Sequence, residues 1–385
     1  MSMLRSHRVL TATTLAVAIC AGQPRVAAAA DHATVYSMSE VPDGALPQAA
    51  LTLGSDGLLY SSTSGGGAQH SGTLFSVSTA GSLQVRHAFT GADGSDASAR
   101  PIQGSDGNFY GITMQGGSQQ RGTLYQMTPA GVVTTLHHFG TVPNDGYWPR
   151  GTLVQAPDGK LYGVTMAGGK KGLGTVFRIS TTGDYEIVHT FSDVGLDAGG
   201  PISGLIIGSD GNFYGMSDLR GGFGFGTIYR MSSKGKVKVL HSFDDAADGG
   251  GCAAELIEWE GWLYGTCSRG GQSYMGTVVR IRLNGKGFKV LHSFSENEGS
   301  GPVSGLVRVG NMFYGTTQWG GPHSRGTVYK ISAKGEFTRL WAFGSFSQDG
   351  LAPYGGLVLA PDGLLYGTTQ IGGANNAGSI YSQAP

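Results

Sequence analysis

The chain has 385 residues, and 26 Lys and Arg balance 26 Asp and Glu, which excludes both the basic excess of a nucleic-acid binder and an acidic interaction tail. Its 68 glycines recur at fixed offsets instead of forming low-complexity tracts, so collagen and disorder are excluded and the glycines read as turn positions. No helical 3.6-residue period persists after residue 30, and β-branched and aromatic residues fill the runs between turns, so the fold class is all-β.

The first thirty residues stand apart. Arg5 and Arg8 precede an apolar run from Val9 to Ala21, and Ala27 to Ala30 supply small side chains for cleavage, the tripartite pattern of a secretory signal. The mature domain is therefore expected to span 31–385, beginning at Asp31. Ile19 fits poorly before a lipidated Cys20, and no later apolar stretch is long enough to span a bilayer. A secreted or periplasmic protein without membrane insertion is the expectation.

Next comes a single strand-like run, Thr34 to Met38, followed by Asp43-Gly44 and Pro47. From there one four-run unit of about 51 residues repeats. Its clearest copy has β-like runs Ile202 to Ile207, Asn212 to Met216, Gly226 to Met231 and Lys236 to Phe243, separated by Asp-Gly, Gly-rich and Lys-Gly turns. Tyrosines 60, 110, 162, 214, 264, 314 and 366 mark the second run, and twelve positions after each stands a glycine, from Gly72 to Gly378. Constant spacing means fixed hairpin register, because a one-residue slip would turn every buried side chain outward. The fourth run carries His87, His137, His189, His241 or His292, with Tyr36 and Trp341 as substitutes. A residue repeated around a ring serves packing, since catalysis happens once. An acid-glycine pair follows (Asp43, Asp93, Asp145, Asp197, Asp248, Glu298, Asp349), whose carboxylate can accept backbone N–H bonds within its own turn.

The seventh unit stops after its third run, and the N-terminal run aligns with the missing fourth. A linear array has no need of this permutation, whereas a closed ring does. The prediction is a seven-bladed β-propeller of four-stranded blades, closed by the N-terminal strand completing the last blade. Cys252 and Cys267 fall within one unit, and a Glu260-Gly261 hairpin turn would make them a diagonal cross-strand pair. A structural disulfide and a pair of free buried thiols are both open.

The pattern Asp-Gly-Asn-Phe-Tyr-Gly, then Gly-Gly, then Gly-Thr-Val-Tyr-Lys-Ile, then Leu-His-Ser-Phe resembles the GloVer-type tandem repeat of exported bacterial proteins in the choice-of-anchor group, over essentially all of 31–385. The resemblance implies export and a propeller-like repeat, and no activity. A C-terminal sorting tail is not expected, since Pro385 lies just past the last strand.

In an up-and-down blade the loop between strands two and three opens on the same face as the return loop to the next blade. Binding residues concentrate on such variable loops. The candidates are Arg121, Tyr147, Trp148, Lys171, Arg220, Arg269, Tyr274, Trp319, His323 and Arg325, because rings beside Arg, Lys and amide side chains suit sugar faces and hydroxyls. Arg220 replaces the first glycine of its doublet beside Asp218, and a local ion pair and a ligand contact are both open. No catalytic residue is assignable, and no metal or cofactor is expected: the nucleophile-elbow, zincin and phosphate-loop motifs are absent. The leading reading is a monomeric binding module for a glycan or an extracellular protein. A polysaccharide lyase or glycoside hydrolase with its site at the mouth of the central channel is the alternative, and a structural envelope protein is a third.

Overall fold

The computed structural model describes residues 31–192 and 198–385, and among these there are strands and no helix. The signal-like segment and the return-loop Asp197 lie outside the described residues.

Blade 1 consists of Thr52–Leu53, Leu59–Ser62, Thr73–Val77 and Leu83–Ala88, each strand antiparallel to the one before it. The same four-stranded unit recurs as blades 2 to 6 over 102–138, 146–190, 198–242, 257–293 and 307–342. In blade 4 the first strand is divided into Ala198–Pro201 and Ile206–Ile207, both paired to Phe213–Arg220. Blade 7 takes three strands from the C-terminus, Val358–Leu359, Leu365–Thr369 and Ser379–Gln383, and its fourth is His32–Ser37. Thr34 faces Tyr381 and Tyr36 faces Ile380 in this closing ladder. The predicted permutation is therefore how the sheet is built.

Second and third strands are buried on both faces, as Leu59–Ser62 and Thr73–Val77 show, because each blade packs a neighbour on either side. The apolar cores accordingly lie between blades. Tyr214, Met216 and Ile228 of blade 4 pack on Leu263, Val279 and Ile281 of blade 5. Leu51, Leu59 and Phe75 of blade 1 pack with Tyr366 and Ile380 of blade 7, joined by Met38 from the closing segment. That last core makes the seven-bladed propeller a closed ring.

The glycine that begins each third strand has a two-sided reason. Gly326 has φ +96°, and a Cβ there would stand 2.5 Å from Thr317 O and 2.6 Å from the Pro353 ring of the next blade. Only glycine lets the two strands and the incoming return loop meet at that point. Beside it, the Thr317 and Thr327 hydroxyls bond at 2.8 Å, as do Thr63 and Thr73 at 3.0 Å. Blade 5 has Cys267 at the threonine position and Cys252 at the proline position, and the two form a disulfide. A covalent tie replaces a buried hydroxyl pair, and the Glu260-Gly261 turn supplies the predicted hairpin with φ of +52° and +74°.

Candidate functional site

The repeated histidines are occupied. Nε2 of His87, His137 and His241 lies 2.7, 3.0 and 2.7 Å from Asp93, Asp145 and Asp248. Tyr36 donates to Asp43 at 2.9 Å and Trp341 to Asp349 at 3.2 Å, while His292 stands 3.4 Å from Glu298. The same carboxylates accept backbone N–H groups of their own turns, from Ser39, Thr90, Gly140, Thr141, Asp244, Ser295, Gly344 and Ser345. Imidazole, phenol and indole interchange because each brings a flat ring and one donor. The rings also stack on the next blade, His137 on Tyr185 at 3.8 Å and His241 on Phe288 at 3.5 Å. This clasp ties fourth strand, return loop and neighbour together, and it is structural.

Chemistry must then come from where the repeat breaks. The first strands of all seven blades line an axial cavity of about 610 Å³. At the position before the leucine that leads into six of the first strands, and before Pro101 in blade 2, the blades carry Ala50, Arg100, Thr152, Gly204, Glu255, Gly305 and Gly356. Small residues leave the axis open, but Arg100 of blade 2 reaches across it, and its Nη2 meets Glu255 Oε2 of blade 5 at 3.0 Å. Burial pushes the Glu255 pKa up, and the Arg100 charge with hydrogen bonds from Thr152 outweighs it, holding the carboxyl below its ordinary value. A charged crossbar thus spans the channel.

Two residues earlier stand Gln48, Ser98, Arg150, Ile202, Ala253, Val303 and Tyr354. Blades 1 to 3 make that rim polar and blades 4 to 6 make it apolar. From the polar side a groove of about 320 Å³ runs outward over the face loops, lined by His70, Asp96 and Gln115 among others, and it shares Gln48, Ser98 and Arg150 with the axial cavity. Burial raises the pKa of the Asp96 carboxyl and the Arg150 charge draws it back only in part. Arg150 Nε is buried without a hydrogen-bond partner.

The family model described as the Gloeobacter/Verrucomicrobia repeat matches residues 25–224 and again 201–385. The chain belongs to this family. No curated protein matches it in sequence. Among solved structures, this Gloeobacter/Verrucomicrobia repeat protein is similar to virginiamycin B lyase from Staphylococcus aureus, with 12% identity and a TM-score of 0.59 over 91% of this chain and 97% of that one. It is also similar to the extracellular domain of a protein from B. thetaiotaomicron assigned as a hybrid two component system, with 12% identity and a TM-score of 0.60 over 92% of this chain and 41% of that one. A protein from Bacteroides uniformis assigned as a 6-phosphogluconolactonase gives 14% identity and 0.53, over 80% and 87%. At such identity these likenesses show the propeller and nothing of the activity.

Of the ten residues singled out from the sequence of this repeat protein, seven sit on face loops of blades 2 to 6, Tyr147 and Trp148 on the first strand of blade 3 and Arg220 at the end of the second strand of blade 4, and none lines the axial cavity or the groove. Three of them meet: the Arg121 guanidinium lies 4.9 Å over the Tyr147 ring, and Tyr147 is edge-on to Trp148 at 5.1 Å. Lys171 is exposed on the blade 3 loop. Tyr274 and Trp319 are 61% and 44% exposed, and His323 and Arg325 flank Gly344. Arg269 bonds Asp245 at 3.1 Å and lies 3.9 Å from Asp218. The ion pair weighed for Arg220 is therefore not formed, since Asp218 turns toward Arg269 of the next blade. Arg100 and Asp96 were legible as variable residues of this face but not as cavity lining, and Glu255 and Gln48 were missed. Arg100 and Glu255 depart from the Ala, Thr or Gly of their sister blades, whereas Gln48 stands at a position that differs in every blade.

Proposed function

We propose that the protein is an exported binding propeller that takes a glycan at the groove where the face loops of blades 1 to 3 run into the axial channel. The observation that carries this reading is the break in sevenfold likeness at that rim: Gln48, Ser98, Arg150, Asp96, Gln115 and His70 converge on one concavity. Amide, hydroxyl and imidazole groups there can pair with sugar hydroxyls, and the apolar rim opposite, Ile202 and Val303 with the Tyr354 ring, offers a surface for sugar C–H faces. The alternative, a lyase or hydrolase, would draw its base from a His, Tyr or Arg of the variable loops, and His70 in this groove, 3.5 Å from Glu40, is its candidate.

The test is a glycan array with the full-length protein, followed by product analysis of whatever binds. The expected outcome is a bound sugar recovered unchanged, with Gln115→Ala combined with His70→Ala weakening it at least about tenfold, the loss of one to two hydrogen bonds, at an unaltered melting temperature. Shortened or unsaturated products would replace the binding module by an enzyme. No glycan bound, with a protein recovered by cross-linking, would replace it by a structural envelope role.

A further inference from the structure

Arg150 is the group at this rim that the architecture does not account for. It follows Pro149 on the first strand of blade 3, Gly146–Gln155, where the ladder with the second strand shifts register between Arg150 and Val154. The other six blades hold a neutral residue at this position (Gln48, Ser98, Ile202, Ala253, Val303, Tyr354) and close their rings equally well. No fold requirement therefore calls for a cation.

Three other guanidinium groups are committed: Arg100 pairs with Glu255, Arg269 with Asp245, and Arg121 covers Tyr147. Arg220 is unpaired among the described residues but exposed, so its donors reach water. Arg150 forms no ion pair among the described residues, and its Nε is buried without a partner. For a half-buried guanidinium, an N–H left without an acceptor is costly unless a ligand supplies one. Its planar fork favours an anion with two coplanar oxygens, which describes a carboxylate better than a point charge.

The surroundings say what carries the carboxylate. Ser64, Ser71, Ser95 and Ser98 hydroxyls and the Gln48 and Gln115 amides line the same groove, a lining suited to a polyhydroxylated body. The acids nearby do not cancel the site. Glu255 is answered by Arg100, and Asp218 faces Arg269. Asp96 forms no ion pair with Arg150 and feels its charge only in part, so its carboxyl offsets the cation incompletely and can also accept a sugar hydroxyl.

We infer that Arg150 is the carboxylate anchor of the groove and that the ligand is an acidic saccharide, a uronate-containing oligosaccharide. This rests on the glycan reading above and names the class of glycan. The test is titration calorimetry of the full-length protein with uronate trisaccharides (galacturonate, glucuronate, mannuronate and guluronate) and with the carboxyl-reduced counterpart of each. At least one uronate is expected to bind ten times or more tightly than its reduced form. Arg150→Gln is expected to abolish that preference, so that acid and reduced forms bind alike, and Arg150→Lys to keep part of it. Equal affinity for acid and reduced forms, or a preference that survives Arg150→Gln, overturns the anchor and leaves the glycan reading standing. If neither charged nor neutral sugars bind, both fall. If Arg150→Gln does not fold, the wild-type ratio between acid and reduced forms still decides the class of ligand, and a preference undiminished in Arg150→Lys overturns the anchor.

Discussion

Arg220 shows what a single position tolerates in a tandem repeat. Its φ is +72°, inside the range of +69° to +89° held by the glycines that occupy the equivalent place in the other six blades. The loop therefore dictates a left-handed backbone whatever the residue, and for an L-residue with a Cβ that costs roughly 1–2 kcal/mol. The Arg220 stem lies over Gly199, whose added Cβ would stand 2.8 Å from its Cγ, and Asp218 does not neutralise it. Arg220→Gly is expected to stabilise the fold by about 0.5–1 kcal/mol, the relief of the left-handed backbone less the extra entropy of an unfolded glycine. Thermal melting measures this. A variant less stable than wild type would mean that contacts of the arginine side chain outweigh its backbone conformation.

At the scale of the element, the clasp between fourth strand and return loop concentrates the acid sensitivity of the fold. Asp145 is 7% exposed. Its Oδ2 accepts from His137, Gly140 and Thr141, and its Oδ1 from Tyr185 and Gly146. Burial raises its pKa, and the donors, led by His137 and Tyr185, outweigh that and hold it below the ordinary 3.8. Asp93 and Glu298 are depressed in the same way. With a depressed folded pKa, the unfolded chain binds the proton first as pH falls. The clasps' contribution is therefore complete above the ordinary carboxylate range and is lost as pH drops through their folded values, below 3.8 for Asp145. Asp145→Asn places an amide donor against donors and is expected to cost about 2–3 kcal/mol at neutral pH. It should also flatten the stability slope between pH 5 and 3, read by denaturant melts across that range. An unchanged slope would show that the clasp carboxylates do not govern acid unfolding. This element was half legible beforehand. The backbone bonds to the acid follow from an Asp-Gly turn, and the recurrence of His, Tyr and Trp marked a structural position. That the ring and the acid bond each other was not visible, because it depends on how the return loop folds back over the strand.

At the scale of the molecule, everything local to one blade could be read from spacing, and everything that crosses the axis could not. The seven tyrosines and the glycines twelve positions later give register, and the misplaced first strand gives closure. Arg100 and Glu255, 155 residues apart, meet only because seven blades bring blades 2 and 5 to face each other over a narrow channel. The face loops drew attention through their aromatic and cationic residues, while the polar side of the channel rim is written in ordinary Gln, Ser and a single Arg. Closure itself can be tested by moving one strand. In the native chain His32–Ser37 pairs with Ser379–Gln383 in blade 7 and continues covalently into blade 1. Blades 7 and 1 cannot part until that ladder is peeled. Placing residues 31–46 after Pro385 through a short glycine turn would keep the ladder and cut the covalent passage to blade 1. Every blade would then be complete, and the ring would be held at that seam by non-covalent contacts alone, the packing of Leu59 and Phe75 against Tyr366 and Ile380 and hydrogen bonds such as those between Ala45 and Gly65. The permuted protein is expected to fold with the same strand content but to unfold at least about tenfold faster in guanidinium, as a stability that resides in the unfolding barrier requires. An unfolding rate equal to that of the native order would mean that the seam opens no more easily without its covalent passage, and that packing and loop hydrogen bonds between the blades hold the ring by themselves.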